Sequence, residues 1–183
     1  NLDPSLVSNF ASVDTIAESL DLYVCELTDS RVPDLVQRAD TIFNLAGQTS
    51  HQGSMDDPLT DARLNCMAQL HLLEAGRRSG FSGKIVFTST RQIYGRPNYL
   101  PVDEAHPVQP VDINGVHKQA CEQYHELYGR LYGLNYTTLR LTNTYGPRMR
   151  IKDASQVFLG IWLRHALEGQ PFEVWGGQQL RDI

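Results

Sequence analysis

The stretch Lys84-Ile-Val-Phe-Thr-Ser-Thr-Arg-Gln-Ile-Tyr-Gly95 decides the fold. Its first half, Lys84-Ile-Val-Phe-Thr88, is short and almost continuously apolar, as strands buried on both faces of a parallel sheet tend to be. Its second half turns polar at once, in Ser89-Thr-Arg-Gln92. In open parallel sheets ligands bind beyond the carboxyl ends of the strands. The hydroxyls and amides after the strand are therefore where function is to be sought.

Working outward, the same punctuation recurs. Leu22-Tyr-Val-Cys-Glu26, Thr41-Ile-Phe-Asn-Leu-Ala46 and Tyr136-Thr-Thr-Leu-Arg-Leu141 also read as strands, and Gly47-Gln-Thr-Ser50 and Thr142-Asn-Thr144 follow two of them. Between the strands, Leu59, Ala62, Cys66, Leu70 and Leu73 step by three or four, with Gly76 and Gly80 closing the segment. Ile113, Val116, Ala120, Tyr124, Leu127 and Leu131 repeat that spacing up to Gly133, and a third helical pattern runs from about Ser155 to Leu167. These spacings predict helices. Strands alternating with helices predict right-handed crossovers and an α/β, doubly wound parallel sheet. The polar residues after the strands suit a ligand with many hydroxyls.

Composition narrows the rest. A chain of 183 residues suffices for one substantial core. Its net charge of -5 argues against a nucleic-acid surface, which needs clustered Lys and Arg. No apolar run is long enough to span a membrane, and the opening NLDPSLVSNF lacks the layout of a secretory signal. The three cysteines, Cys25, Cys66 and Cys121, form no CxxC pair, so a reduced, cytoplasmic protein is expected. The Asn135-Tyr-Thr137 sequon then carries no weight. No metal is expected: the six histidines are dispersed, and His125-Glu-Leu-Tyr-Gly129 lacks the second histidine of a zinc helix. Ser50-His51, Ser54 and Asp56-Asp57 hint at a hydrolase, but no GxSxG elbow accompanies them. The glycine-rich phosphate turn GxxGxxG is also absent, so a complete dinucleotide site cannot be built from these residues alone.

Several segments together resemble the extended short-chain dehydrogenase/reductases, specifically the NAD-dependent nucleotide-sugar epimerase/dehydratase family. They are Asn44-Leu-Ala-Gly47, Asp57-Pro58 with Asn65 and Leu72-Leu-Glu74, Phe87-Thr-Ser-Thr-Arg-Gln-Ile-Tyr-Gly95, Leu139 to Arg148, and Leu180-Arg-Asp182. The resemblance implies a Rossmann-like fold that binds NAD and a nucleotide sugar. It implies that residues 1–150 form the NAD-binding core without its first strand-turn-helix, and that residues 151–183 begin a C-terminal substrate-binding subdomain. The chain is thus expected to be truncated at both ends. The resemblance further implies a homodimer, paired through the helix after Ile113 and its predecessor. The reaction it implies is epimerisation by transient oxidation of a sugar hydroxyl and re-reduction. The alternative is a catalytically silent protein that binds NAD or a nucleotide sugar.

The family places a catalytic tyrosine four residues before a lysine on one helix, where the two side chains sit about 40° apart. The lysine binds the nicotinamide ribose and lowers the phenol's pKa from about 10 so that it can take a proton. Here Lys118 holds the lysine position, but Asn114 holds the tyrosine's, and an amide cannot exchange a proton at useful pH. Asn114 is expected either to orient the substrate or to start the helix as an N-cap. His117 is a possible substitute base, since histidine titrates near neutrality, and Tyr94 is a weaker one. Thr90 takes the family's Ser/Thr position. Arg91 and Gln92 replace the carboxylates that the dehydratase and decarboxylase branches use, which favours epimerase-like or simple oxidoreductase chemistry. By the same resemblance Glu26, Leu27, Leu45, Ala46, Gly47, Asn65 and Lys118 would bind the cofactor. Asn143, Arg148 and Arg181 would hold the substrate, arginine through its planar fork.

Overall fold

The computed structural model describes residues 18–146 and 158–174. The chain divides into two compact units, one of Cys25–Leu141 and the other of Asn1–Val24 with Thr142–Ile183. The division expected at residue 150 falls outside the described residues.

Cys25–Leu141 is built on three parallel strands in the order β1-β2-β3: β1 is Thr41–Asn44, β2 is Lys84–Thr90 and β3 is Asn135–Leu141. Thr41 pairs with Lys84, and Ile85 pairs with Tyr136. Ile85 and Phe87 of β2 are fully buried, because the central strand is covered on both faces. Around the sheet run α1 (Val32–Gln37), α2 (His51–Asp56), α3 (Pro58–Ala62), a π turn (Arg63–Met67), α4 (Ala68–Ser79) and α5 (Ile113–Tyr132). The core joins Val32, Val36, Leu72, Leu73, Ala75, Phe81, Ile85 and Leu134. Each large aliphatic or aromatic side chain buried there contributes about 1.5–3 kcal/mol.

The helix ends follow local chemistry. Asp112 caps α5, its carboxylate accepting from the Gly115 N–H at 2.7 Å. Gly133 then stops the helix with a φ of 72°, a conformation that costs glycine little.

Three expectations need correction. Leu22–Glu26 is not a strand: no ladder among the described residues includes it, and Leu22 and Val24 are 55% and 62% exposed. A β-branched run becomes a strand only when neighbouring backbone takes up its N–H and C=O groups. Asn114 is not a cap, because Asp112 has that place.

The packed helix faces also differ from the apolar stripes. Before α4, Leu59 is 81% exposed, whereas Asp61, Asn65 and Gln69 are buried. The π turn, in which the Ala68 N–H reaches back to the Arg63 carbonyl, slows the rotation so that these residues, four apart, share one face. On α5 the buried residues are Asn114, Gly115, Lys118, Cys121 and His125, while Val116, Leu127 and Leu131 are exposed. Both helices turn polar groups inward because they cross strand ends and loops whose main chain needs partners.

In the other unit, α6 (Phe158–Glu168) has Trp162 between Phe158 and Phe172, at ring distances of 4.9 and 5.6 Å. No helix of the described residues is long and apolar enough to cross a membrane.

Candidate active site

Lys118 lies on the inward face of α5 with 8% of its surface exposed. Its Nζ donates to the Thr88 carbonyl at 2.8 Å and stands 5.0 Å from the centre of the Phe87 ring. It is thereby fixed at the carboxyl end of β2, two residues before Thr90. A side chain on Gly47 would come within 3.5 Å of Nζ, so the ammonium also borders the loop that follows β1. Burial pushes its pKa below the usual lysine range. Among the described residues no carboxylate forms an ion pair with it, and the Thr88 carbonyl is the one acceptor for its three protons. Ser89 Oγ, at the end of the same strand, is buried without a hydrogen-bond partner among the described residues.

Thr90 ends β2 in an extended conformation, and its Oγ1 accepts from the Gln92 N–H at 3.2 Å. The hydroxyl keeps its own proton to donate.

The loop after β1 is held by buried amides. Asn65 accepts from the Gln48 N–H at 3.0 Å and donates to the Gln48 carbonyl at 3.3 Å. Gln69 binds the Asn44 side chain and donates to the Ala46 carbonyl at 3.1 Å. Asp61 is fully buried and gathers donors: Asn65 Nδ2 at 2.9 Å, Asn114 Nδ2 at 3.5 Å and the His117 ring at 2.6 Å.

Asn114 is buried at 2% exposure, with its amide donating to the Gln48 carbonyl at 2.9 Å and its main-chain N–H to Ser54 Oγ at 3.2 Å. It fastens α5 to the β1 loop and to α2. His117 is 17% exposed and tied to Asp61, on the side of α5 that meets α3. Tyr94 is held by Arg140, whose Nη1 donates to its hydroxyl at 2.7 Å while Glu122 binds the same guanidinium at 2.8 Å. That phenol braces the 3-10 turn Arg91–Tyr94 against β3.

The remaining positions divide as follows. Glu26 is exposed and opens the turn whose Asp29 N–H bonds the Glu26 carbonyl, while Leu27 packs against the core. Leu45 is 68% exposed, and Ala46 and Gly47 are exposed beside it. Asn143 belongs to the other compact unit, and Arg148 and Arg181 lie outside the described residues.

The structure thus brings together Lys118, Gly47, Thr90, Asn65, Asn114 and the β1 loop. Sequence reasoning missed Asp61 and Gln69, which help hold that loop, and the pairing of His51 with Asp112. The four-residue spacing of Asp61, Asn65 and Gln69 was a usable signal, because polar residues repeating along one helix face mark a buried polar seam.

The whole constellation spans little more than the carboxyl edge of the sheet. The model of the NAD dependent epimerase/dehydratase family matches residues 5–183. The chain belongs to this family. A UDP-glucose 4-epimerase of Mycolicibacterium smegmatis is 35% identical over 147 residues, covering 79% of this chain and 46% of that protein. Among solved structures, UDP-N-acetylglucosamine 4-epimerase from Methanobrevibacter ruminantium, in complex with UDP-N-acetylmuramic acid, superposes with a TM-score of 0.84 at 28% identity. That likeness covers 90% of this chain and 53% of the other. Thermus thermophilus UDP-glucose 4-epimerase, in complex with NAD, superposes with a TM-score of 0.70 at 32% identity, covering 85% and 52%. The chain spans about half the length of the relatives it matches. As an epimerase/dehydratase family member it has the Rossmann-like fold expected from Lys84–Gly95.

Proposed function

We propose that the protein is an NAD-dependent nucleotide-sugar epimerase. The observation that carries this reading is the buried Lys118 ammonium, without an ion-pair partner among the described residues, facing Gly47 where a side chain would intrude. An ammonium held in that state needs an oxygen-rich ligand to complete its hydrogen bonds. Ribose hydroxyls supply such oxygens, and Gly47 leaves room for them, so the residues fit the family's cofactor. In this reading Lys118 binds the nicotinamide ribose. Leu45, Ala46 and Gly47 form the wall against which the dinucleotide lies, and Glu26 with Leu27 takes the adenine. Asn65 positions the loop rather than touching the cofactor, because the Gln48 main chain and Asp61 occupy its amide.

When bound, NAD supplies reversible two-electron oxidation of a sugar C–OH to a ketone. Thr90 donates a hydrogen bond from its hydroxyl to the reacting sugar oxygen and orients it. Arg91 and Gln92 stand where water-eliminating relatives need carboxylates, so returning the ketone to an alcohol is favoured over dehydration. Asn143, Arg148 and Arg181 hold the nucleotide sugar. The exposed stripe Val116, Leu127 and Leu131 on α5 supports a homodimer paired along that helix.

The test is to purify the intact protein, identify its bound nucleotide after denaturation, and follow UDP-glucose by NMR for conversion to its 4-epimer. Retained NAD with turnover supports the reading, and Lys118→Ala is expected to lose both. Retained NAD without turnover of any nucleotide sugar overturns the enzyme in favour of a silent binding protein.

A further inference from the structure

The epimerase reading requires a proton acceptor, and the residue in the tyrosine position cannot be one. Asn114 is buried, its amide spent on Gln48 and Asp61. Tyr94 is spent on Arg140. The His117 ring is locked onto a fully buried carboxylate. A fourth group stands apart from these. His51, the first residue of α2, is 40% exposed along its side chain, more than twice the exposure of His117.

The His51 ring is held from two sides. Its Nδ1 lies 3.0 Å from Asp112 Oδ2, and its Nε2 lies 3.2 Å from the side-chain nitrogen of Gln92. A carboxylate only accepts, so Nδ1 carries the proton and Nε2 keeps its lone pair. The Gln92 amide donates into that lone pair. Gln92 also binds Thr90 Oγ1 through its main chain, which places the ring beside the turn that carries Thr90. The backbone under His51 is fixed as well. Ser54 Oγ donates to the His51 carbonyl at 2.7 Å and accepts from the Asn114 N–H, bolting the histidine's helix to the residue in the tyrosine position.

Taking the epimerase reading as its basis, we propose that His51, oriented by Asp112, is the general base that replaces the missing tyrosine. A sugar hydroxyl displaces the Gln92 amide from Nε2. The O–H bond breaks and its proton moves to Nε2, while the electron pair left on oxygen becomes the second bond of the ketone as the C–H pair departs to NAD. On the return the C–H pair comes back to the other face of the carbon, and Nε2 gives its proton back to oxygen. Asp112 stabilises the doubly protonated ring between the two steps. It thus has two tasks, capping α5 with Oδ1 and orienting His51 with Oδ2.

That division of labour supplies the test, made on the intact, NAD-loaded protein with UDP-glucose as probe. Asp112→Asn keeps an oxygen for the cap, since Asn and Asp cap equally well. Its amide N–H₂ then faces Nδ1 and forces the proton to Nε2, which removes the base. Asp112→Asn and His51→Ala are each expected to lower kcat by about 10² to 10⁴. UDP-glucose affinity, measured by calorimetry, stays within threefold of the parent, and free imidazole restores part of the His51→Ala activity. Independently of turnover, heteronuclear NMR of histidine-labelled protein should show the Nδ1–H tautomer at His51 and its reversal in Asp112→Asn. A parent that epimerises while both variants keep kcat within threefold overturns the dyad alone. So does an Nε2–H tautomer in the parent. A parent that epimerises no nucleotide sugar overturns the dyad and the proposed function together.

Discussion

The Lys118 ammonium stands 3.5 Å from the point that a side chain on Gly47 would occupy, although 71 positions separate the two residues in the chain. Glycine is held there for two reasons: its φ is +152°, and a Cβ would meet Asn65 Oδ1 at 2.5 Å. Asn65 cannot swing aside without giving up both bonds to Gln48. Gly47→Ala is therefore expected to lower stability by about 1–3 kcal/mol. Denaturant unfolding measures the loss, and an unchanged midpoint would show that the loop yields freely.

Lys118 should trade stability for function. Its folded pKa is depressed by burial, so the folded chain carries an ammonium it holds less readily than the unfolded chain does. The penalty is fully present at neutral pH and is relieved only as pH rises through the folded pKa toward the ordinary lysine value. Lys118→Met should accordingly stabilise the ligand-free protein by about 1 kcal/mol, as apolar replacement of buried charge often does. The same variant should lose NAD. A lower melting temperature without ligand would contradict the argument.

His125 predicts a pH slope of the same sign in a lower pH window. It is fully buried, stacked on Phe87 at 4.5 Å, and its Nε2 has no partner among the described residues. Burial pushes its pKa below the ordinary histidine value. Below about pH 6.5 the unfolded chain takes up a proton that the folded chain refuses, so stability falls as pH falls, by up to about 1.4 kcal/mol per unit. Urea midpoints at pH 7.5 and 5.5, compared between the parent and His125→Phe, isolate this component. Parallel curves would exclude it.

The exposed stripe on α5 makes a further prediction. Val116, Leu127 and Leu131 are 46%, 38% and 58% exposed on one side of the helix. Exposed apolar surface of that kind marks contact sites. Leu131→Glu is expected to convert a dimer to monomers in light scattering at micromolar concentration while leaving the far-ultraviolet spectrum unchanged. A parent that is monomeric would dismiss the proposed pairing.

Local pattern sufficed for much of the fold. The apolar run from Lys84 and the run from Tyr136 have strand character in any context that covers both faces, and the structure pairs them in parallel. The helix from Ile113 starts at a capping aspartate and stops at a glycine, both short-range signals. The places of Lys118 on α5 and of Thr90 at the end of β2 were legible because each stands at a fixed offset within one such element. Leu22–Glu26 was not, since pairing is not a property of the run itself.

By itself, then, the sequence determined three of its four expected strands, the helices that Gly80 and Gly133 end, and that a lysine is presented four positions after an amide. Those are properties of neighbours along the chain. Only the tertiary structure decided that Asp61, Asn65 and Gln69 face inward, that Gly47 meets Lys118, and that His51 rests against Asp112 across 61 positions. Buried polar groups choose partners by distance in space, since each must satisfy its hydrogen bonds out of reach of water, and no periodicity along the chain encodes that choice.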